Sequence, residues 1–336
     1  MRAIVDTLAL VVSASSSAKK VALKTRDDPS RGIPISPIGV GTISWGDASR
    51  GFGTNGFREK DAFEAFQRAR KSGINFFDTA EVYGYKGQKY EQSAEEILGR
   101  FVKNDDANDS DDEVVVGSKV FTIPWTNALM GGGIRLGKES LVKAGKESVK
   151  RMGGRQMDVW SIHFPFPSFS QDALMSALEE SLDLGLTRAV GVSNYNTEQL
   201  ERAFEILEKR GIPLASNQIE YSVVNRKAEK EGLIQSCLDR DVKVVAHSPL
   251  KALKTTEIEE KYVIMNKLCE FIGQVNSGGK SKVSVMLNYC MAKGTIPIPG
   301  VKRVEHIEDI ENAMGWTLDE ESVLTIDEKM DYLDKL

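Results

Sequence analysis

At 336 residues, 41% of them hydrophobic and 28% charged, the chain can bury a large core as one α/β domain or as two smaller ones. Lysine plus arginine at 44 against aspartate plus glutamate at 49 leaves a formal charge of −5, with neither a basic stripe nor an arginine-rich helix, so the expected partner is a small molecule and not nucleic acid. The three cysteines, Cys237, Cys269 and Cys290, lie far apart without a C-x-x-C pair, which argues against a disulfide framework and a zinc site, and no metal is expected.

Residues 1–30 read as an N-terminal extension. Arg2, an apolar run from Ala3 to Val12 broken by Asp6, and a Ser, Ala and Lys stretch to Lys20 resemble a targeting segment. The run is too short to span a bilayer, and no membrane partner is expected. The plainer reading is a disordered or strand-forming tail, which places the protein in the cytoplasm; the targeting reading places it in a plastid or another organelle.

From Ile35 onward, short β-branched runs alternate with amphipathic stretches, the pattern of repeated βα units with parallel strands. The predicted strands are Ile38 to Ile43, Asn75 to Asp78, Glu113 to Lys119, Met157 to His163, Arg188 to Asn194, Leu214 to Ile219, Val242 to His247 and Thr295 to Pro299. Helical periodicity falls on Glu59 to Lys71, Ser93 to Val102, Lys138 to Met152, Gln171 to Leu184, Thr197 to Arg210, Ala228 to Arg240, Lys282 to Ala292 and Glu305 to Met314. Eight alternating units predict a closed (β/α)8 barrel as a single domain over residues 31–336. No Gly-x-Gly-x-x-Gly opens a helix after a strand, so a Rossmann cofactor domain is unsupported. The acidic stretch Asn104 to Glu113 joins a helix end to a strand start and reads as a solvated loop, since it lacks the glycine and distal glutamate of a calcium loop; its Asn108-Asp109-Ser110 is a glycosylation sequon.

Three predicted strand ends carry or lead into four ionisable residues: Asp78 with Tyr83 after it, Lys119, and His163. In a parallel barrel those ends open on one face, so an acid, a phenol, an ammonium and an imidazole converge. Reducing a carbonyl needs hydride at carbon and a proton at oxygen. Lys119 beside Tyr83 is expected to favour the phenolate and lower the tyrosine pKa, Asp78 to hold the ammonium, and His163 to orient the substrate oxygen. Singly, each has an ordinary explanation, as packing, solvated charge or helix cap. Their conjunction carries the reading.

Gly39-Val40-Gly41-Thr42, Asp78-Thr79-Ala80-x-x-Tyr83-Gly84, Ser118-Lys119, Ile162-His163, Gly191-Val192-Ser193-Asn194-Tyr195, Ser216-Asn217-Gln218, Ser248-Pro249-Leu250 and Ile298-Pro299-Gly300 follow one another in this order. Together they resemble the successive motifs of the aldo-keto reductases, from about Ile35 to the C-terminal helix. The resemblance implies a (β/α)8 barrel that binds NADP(H) across the strand carboxyl ends and reduces aldehydes or ketones to alcohols. It implies a catalytic tetrad of Asp78, Tyr83, Lys119 and His163, with Tyr83 the proton donor. Ser193, Asn194 and Gln218 would hold the nicotinamide carboxamide, and Ser248, Pro249 and Leu250 would lie at the pyrophosphate. Gly300, Val301, Lys302, Arg303, His306 and Asp309 would meet the adenosine phosphate, and Gly41, Thr42 and Asp78 would complete the cofactor cleft. Barrel relatives often work as monomers, and a monomer is expected.

The chain departs from the family at two places. His247 stands where the family carries a tyrosine stacked on the nicotinamide, and its smaller ring can take a proton near neutral pH and oppose the oxidised, positive nicotinamide. His306 stands where many relatives have a phosphate-binding arginine. Trp45, Tyr85, Phe121, Trp125, Phe164, Phe166 and Phe169 fall just beyond strand ends and predict an aromatic-lined mouth, though some belong to the core. The alternative function is a cofactor-binding redox-sensing or regulatory subunit of the same fold with slow turnover. A third reading, Lys119 as a Schiff-base lysine, is opposed by Asp78, which would raise the lysine pKa.

Overall fold

Eight strands, none longer than seven residues, run parallel in sequence order: β3 (Val40–Gly41), β4 (Phe76–Asp78), β5 (Val115–Val120), β6 (Met157–Ile162), β7 (Thr187–Ser193), β8 (Leu214–Glu220), β9 (Lys243–His247) and β10 (Thr295–Ile298). Each overlaps one of the eight predicted runs, with ends shifted by at most two residues. The computed structural model describes residues 20–54, 57–84, 93–105, 113–123, 135–253 and 259–336. Tyr85, Trp125, the sequon and residues 1–19 lie outside them.

The two ends of the sheet meet. Gly39 N–H donates to Pro297 O and Gly41 N–H to Pro299 O, each at 2.9 Å, and Val301 N–H returns to Gly41 O at 3.2 Å. A Cβ on Gly41 would stand 3.0 Å from Ile298 O, so the seam is tight enough to exclude a side chain. Most strand residues are buried on both faces, which is why the runs read as nearly continuous Val and Ile and not as alternation.

A hairpin of β1 (Val21–Leu23) and β2 (Ile33–Ile35) precedes the barrel. Its Leu23, Ile33 and Ile35 pack with Phe76, Val115, Val159, Ala189, Ala215, Val245 and Ile296, one residue from each of seven barrel strands. Asn75, just before β4, donates to Pro34 O at 2.9 Å and accepts from Ser36 N–H at 2.7 Å. Lys24 pairs with Asp241, just before β9. These contacts set the hairpin across the N-terminal ends of the strands, where it plugs the barrel floor. β1 falls within the stretch read as an extension, and three residues of alternation are too few to announce it.

Helices fill the intervals. Glu59–Lys71 and Lys282–Ala292 have the predicted bounds, and the others shift by up to three residues at an end, with one exception. The run Ala228 to Arg240 is two helices, Lys227–Lys230 and Leu233–Asp239, because Gly232 takes a left-handed φ of 76° between them. Helices Glu260–Val275 and Glu320–Leu333 were not predicted. Among the described residues, no helix is long and apolar enough to cross a membrane. The three cysteines are buried and free, and burial pushes the Cys237 and Cys269 thiols up to about 12.

Candidate active site

The barrel register brings Asp78, the last residue of β4, beside Lys119 on β5, although 41 residues separate them. Lys119 Nζ lies 2.8 and 2.7 Å from the two Asp78 carboxylate oxygens and donates to Thr79 O at 2.6 Å. Both side chains are almost wholly enclosed, 2% and 5% exposed. Burial opposes the Lys119 ammonium, but Asp78 and then Tyr83 outweigh it and leave the lysine above its ordinary range. A charged lysine is a poor amine nucleophile, which removes the support for the Schiff-base reading.

Tyr83 is set by the turn that follows β4, where its N–H donates to Ala80 O and its carbonyl accepts Ala94 N–H, both at 3.0 Å. The next residue, Gly84, has a φ of 76°, and a Cβ there would stand 2.7 Å from Trp45 O. Only glycine fits this turn. The Lys119 ammonium lies 5.1 Å from the Tyr83 ring centroid. Burial pushes the phenol up and Lys119 pulls it down, with burial the stronger, so the tyrosine stays above its ordinary value. The expected lowering is thus corrected: Lys119 offsets the desolvation of the phenolate without overcoming it.

His163 follows β6 at 8% exposure, its N–H bonded to Val120 O at 2.9 Å. Its ring stands edge-on to Tyr83 at 5.9 Å and to Phe121 at 5.4 Å and stacks on Phe164 at 4.9 Å. Burial, Lys119 and His247 hold its pKa well below the ordinary 6.5, so the imidazole is neutral. Nδ1 is buried with no hydrogen-bond partner. The four predicted catalytic residues therefore come together, and one side of the cluster is aromatic.

The predicted cofactor residues form a chain of polar contacts around the same face. Gln218 Nε2 donates to Asp78 Oδ1 at 2.7 Å, and Ser193 Oγ donates to Gln218 O at 2.9 Å. Asn194 Nδ2 reaches Ser193 Oγ at 3.1 Å and His163 O at 3.0 Å. His247 spans Asn194 Oδ1 at 3.2 Å and Ser248 Oγ at 3.3 Å. Asn194 and Ser248 have φ of 60° and 55°. Left-handed backbone at non-glycine residues costs on the order of 1–3 kcal/mol each and clusters where a ligand is held. Thr42 donates to Asp78 O through both its N–H, at 2.9 Å, and its hydroxyl, at 3.0 Å. Pro249 is buried, and Leu250 packs against the main core.

After β10, Val301 is buried and its carbonyl accepts Trp45 Nε1–H at 2.8 Å. The nearest atom to a Cβ placed on Gly300 is 3.9 Å away, which leaves its backbone open to close approach. Helix Val304–Ala313 has Arg303 as its N-cap with no side-chain hydrogen bond there, so its first turn, beside Lys302 and Arg303, carries no side-chain cap. That arrangement suits a phosphate. His306 Nδ1 accepts Lys302 N–H at 3.2 Å, and Lys302 Nζ donates to Arg50 O at 2.7 Å. Burial holds His306 below its ordinary pKa, so the cationic strength of the segment rests on the lysine and arginine. The Asp309 carboxylate accepts from Ser281 Oγ at 3.0 Å.

Of the described aromatics expected at the mouth, Trp45 and Phe169 belong to the core, the indole having its partner in Val301. Phe121 and Phe166 are half-buried and Phe164 is 37% exposed. Sequence reasoning missed two buried charge networks. Glu81 pairs with Arg135, and Glu95 takes Ser118 Oγ–H and Arg151 Nε–H, each at 2.5 Å, directly behind Lys119. Glu81 sits within a recognised motif, yet nothing in the local pattern reveals that its partner lies 54 residues on.

The sequence profile of the aldo/keto reductase family matches residues 37–331. The chloroplastic pyridoxal reductase of Arabidopsis thaliana is 30% identical over 315 residues, covering 88% of this chain and 83% of the relative. The aldo-keto reductase YhdN of Bacillus subtilis is 25% identical, covering 86% and 88%. Among solved structures, the thermostable aldo-keto reductase Tm1743, crystallised with the inhibitor epalrestat, superposes with a TM-score of 0.72 at 28% identity, over 92% of this chain and 99% of that one. An aldo/keto reductase from Klebsiella pneumoniae in complex with NADP and acetate shares the fold, with a TM-score of 0.70 at 21% identity over 92% and 95%. With the barrel, the converged strand-end residues and a family match over most of its length, this chain belongs to the aldo/keto reductase family.

Proposed function

We propose that the protein is an NADP(H)-dependent reductase of aldehydes and ketones in which Tyr83 gives the proton to the carbonyl oxygen. The observation that carries this reading is the buried Lys119 ammonium, held by Asp78 and lying 5.1 Å from the Tyr83 ring. NADPH, when bound, supplies the hydride. Tyr83 is protonated at working pH and has a cation beside it to stabilise the phenolate left after transfer. His163, neutral and wedged by Phe121 and Phe164, donates a hydrogen bond to the substrate oxygen and fixes its approach.

Ser193, Asn194 and Gln218 would hold the nicotinamide carboxamide, with His247 fixing Asn194. Lys302, Arg303 and the open helix start would hold the adenosine phosphate, which favours NADPH over NADH. Phe121 and Phe164, edge to face at 5.6 Å, form a flat-walled corner beside the tetrad. We infer that planar aromatic or heteroaromatic aldehydes fit it best. The activity in the name of the Arabidopsis thaliana relative is consistent with that class.

The test is NADPH oxidation with a panel of aromatic and aliphatic aldehydes, wild type beside Tyr83→Phe. Removing the general acid lowers kcat by about 10²-fold or more while NADPH binding persists. A wild-type protein that binds NADPH without turnover would favour the redox-sensing reading instead.

A further inference from the structure

Glu81 lies inside the turn that carries Tyr83, two residues before it, and its side chain is 6% exposed; Arg135, the residue paired with it, is 5% exposed. The guanidinium grips the carboxylate as a fork, Nη1 on Oε1 and Nη2 on Oε2, the latter at 3.1 Å. The same two side chains also take the backbone at the end of β5. Arg135 Nη1 donates to Phe121 O at 2.6 Å, Glu81 Oε1 accepts Phe121 N–H at 2.5 Å, and Glu81 N–H donates to Lys119 O at 3.2 Å. The Phe121 ring in turn meets that of His163 in a T-shaped contact. One ion pair thus ties the segment bearing the proton donor to the backbone on either side of Val120, next to the lysine and the ring that flanks the histidine.

Burying two charges costs about as much as their attraction returns, so such a pair is a poor source of stability, and its best-attested use is to fix one register among several. We propose that Glu81 and Arg135 are positioning residues for proton delivery, holding Tyr83, Lys119 and Phe121 in a single arrangement. This rests on Tyr83 as the proton donor. Neither residue reaches the substrate; both act through the backbone they clamp.

Glu81→Gln preserves shape and the acceptor for Phe121, and Arg135→Lys preserves charge without the fork. Both are compared with wild type well below their melting temperatures, by amide hydrogen exchange of residues 79–84 and 119–122 and by steady-state kinetics. The expected result is faster exchange in those two segments alone. It is accompanied by a kcat lower by about tenfold or more, since small misplacements of reacting groups have effects of that size, and by an NADPH Kd within about twofold of wild type. Unchanged exchange, exchange raised throughout the barrel, an unaltered kcat despite loosened segments, or an NADPH Kd that weakens in step with kcat would each overturn the proposal. If wild type itself reduces no carbonyl, the functional reading fails, and the exchange data still decide whether the pair holds the two segments together.

Discussion

His163 shows how burial decides the chemistry of a single side chain. Its folded pKa lies well below the ordinary 6.5 because burial, then Lys119 and His247, oppose a charge. The unfolded chain therefore binds the proton first, and stability rises with pH through this interval. The contribution is complete above about pH 6.5 and is lost as pH falls below it, at about 1.4 kcal/mol per unit until the folded pKa is reached. Chemical denaturation from pH 7.5 down to 5 should show wild type losing stability faster than His163→Gln. Parallel curves would mean that the imidazole titrates normally. The rate of reduction should show no ionisation from His163 between about pH 6 and 8, because the ring is neutral throughout.

Among the elements, the turn from Asp78 to Gly84 bears most on the site. It needs a left-handed residue at position 84 and has no room for a methyl group beside Trp45 O. Gly84→Ala should cost on the order of 1–2 kcal/mol for the backbone alone, and more for the 2.7 Å approach, measured as a lower melting temperature. Because Tyr83 is its neighbour, kcat should fall further than NADPH affinity. Equal loss of both would place the damage in the barrel at large. The strands and most helices were legible because their apolar periodicity is local, and the convergence of Asp78, Tyr83, Lys119 and His163 because each falls at, near or just beyond a strand end. The hairpin was not, since three-residue strands carry too little pattern. Gly232 looked like one more residue in a helical run until its φ of 76° split it. Glu81 and Arg135 stayed hidden because pairing across 54 residues is a property of the closed barrel and of no window of sequence.

For the whole molecule, the barrel is closed at both the seam and the floor. Leu23 is 1% exposed among the residues lining the barrel floor. Leu23→Ala should lower stability by roughly 2–5 kcal/mol, read by denaturant midpoint, and leave NADPH affinity unchanged because the proposed cofactor face is at the opposite end. A parallel loss of affinity would show that the floor and the site are not independent.

The plugged floor also makes the barrel a blind well. Among the described residues, Leu23, Ile33 and Ile35 close its lower end, which leaves the strand carboxyl ends as the face from which Tyr83 is approached. On the proposed function, the proton that replaces the one given up by Tyr83 would then arrive by the way the alcohol leaves, and the donor would be recharged only as product clears the mouth.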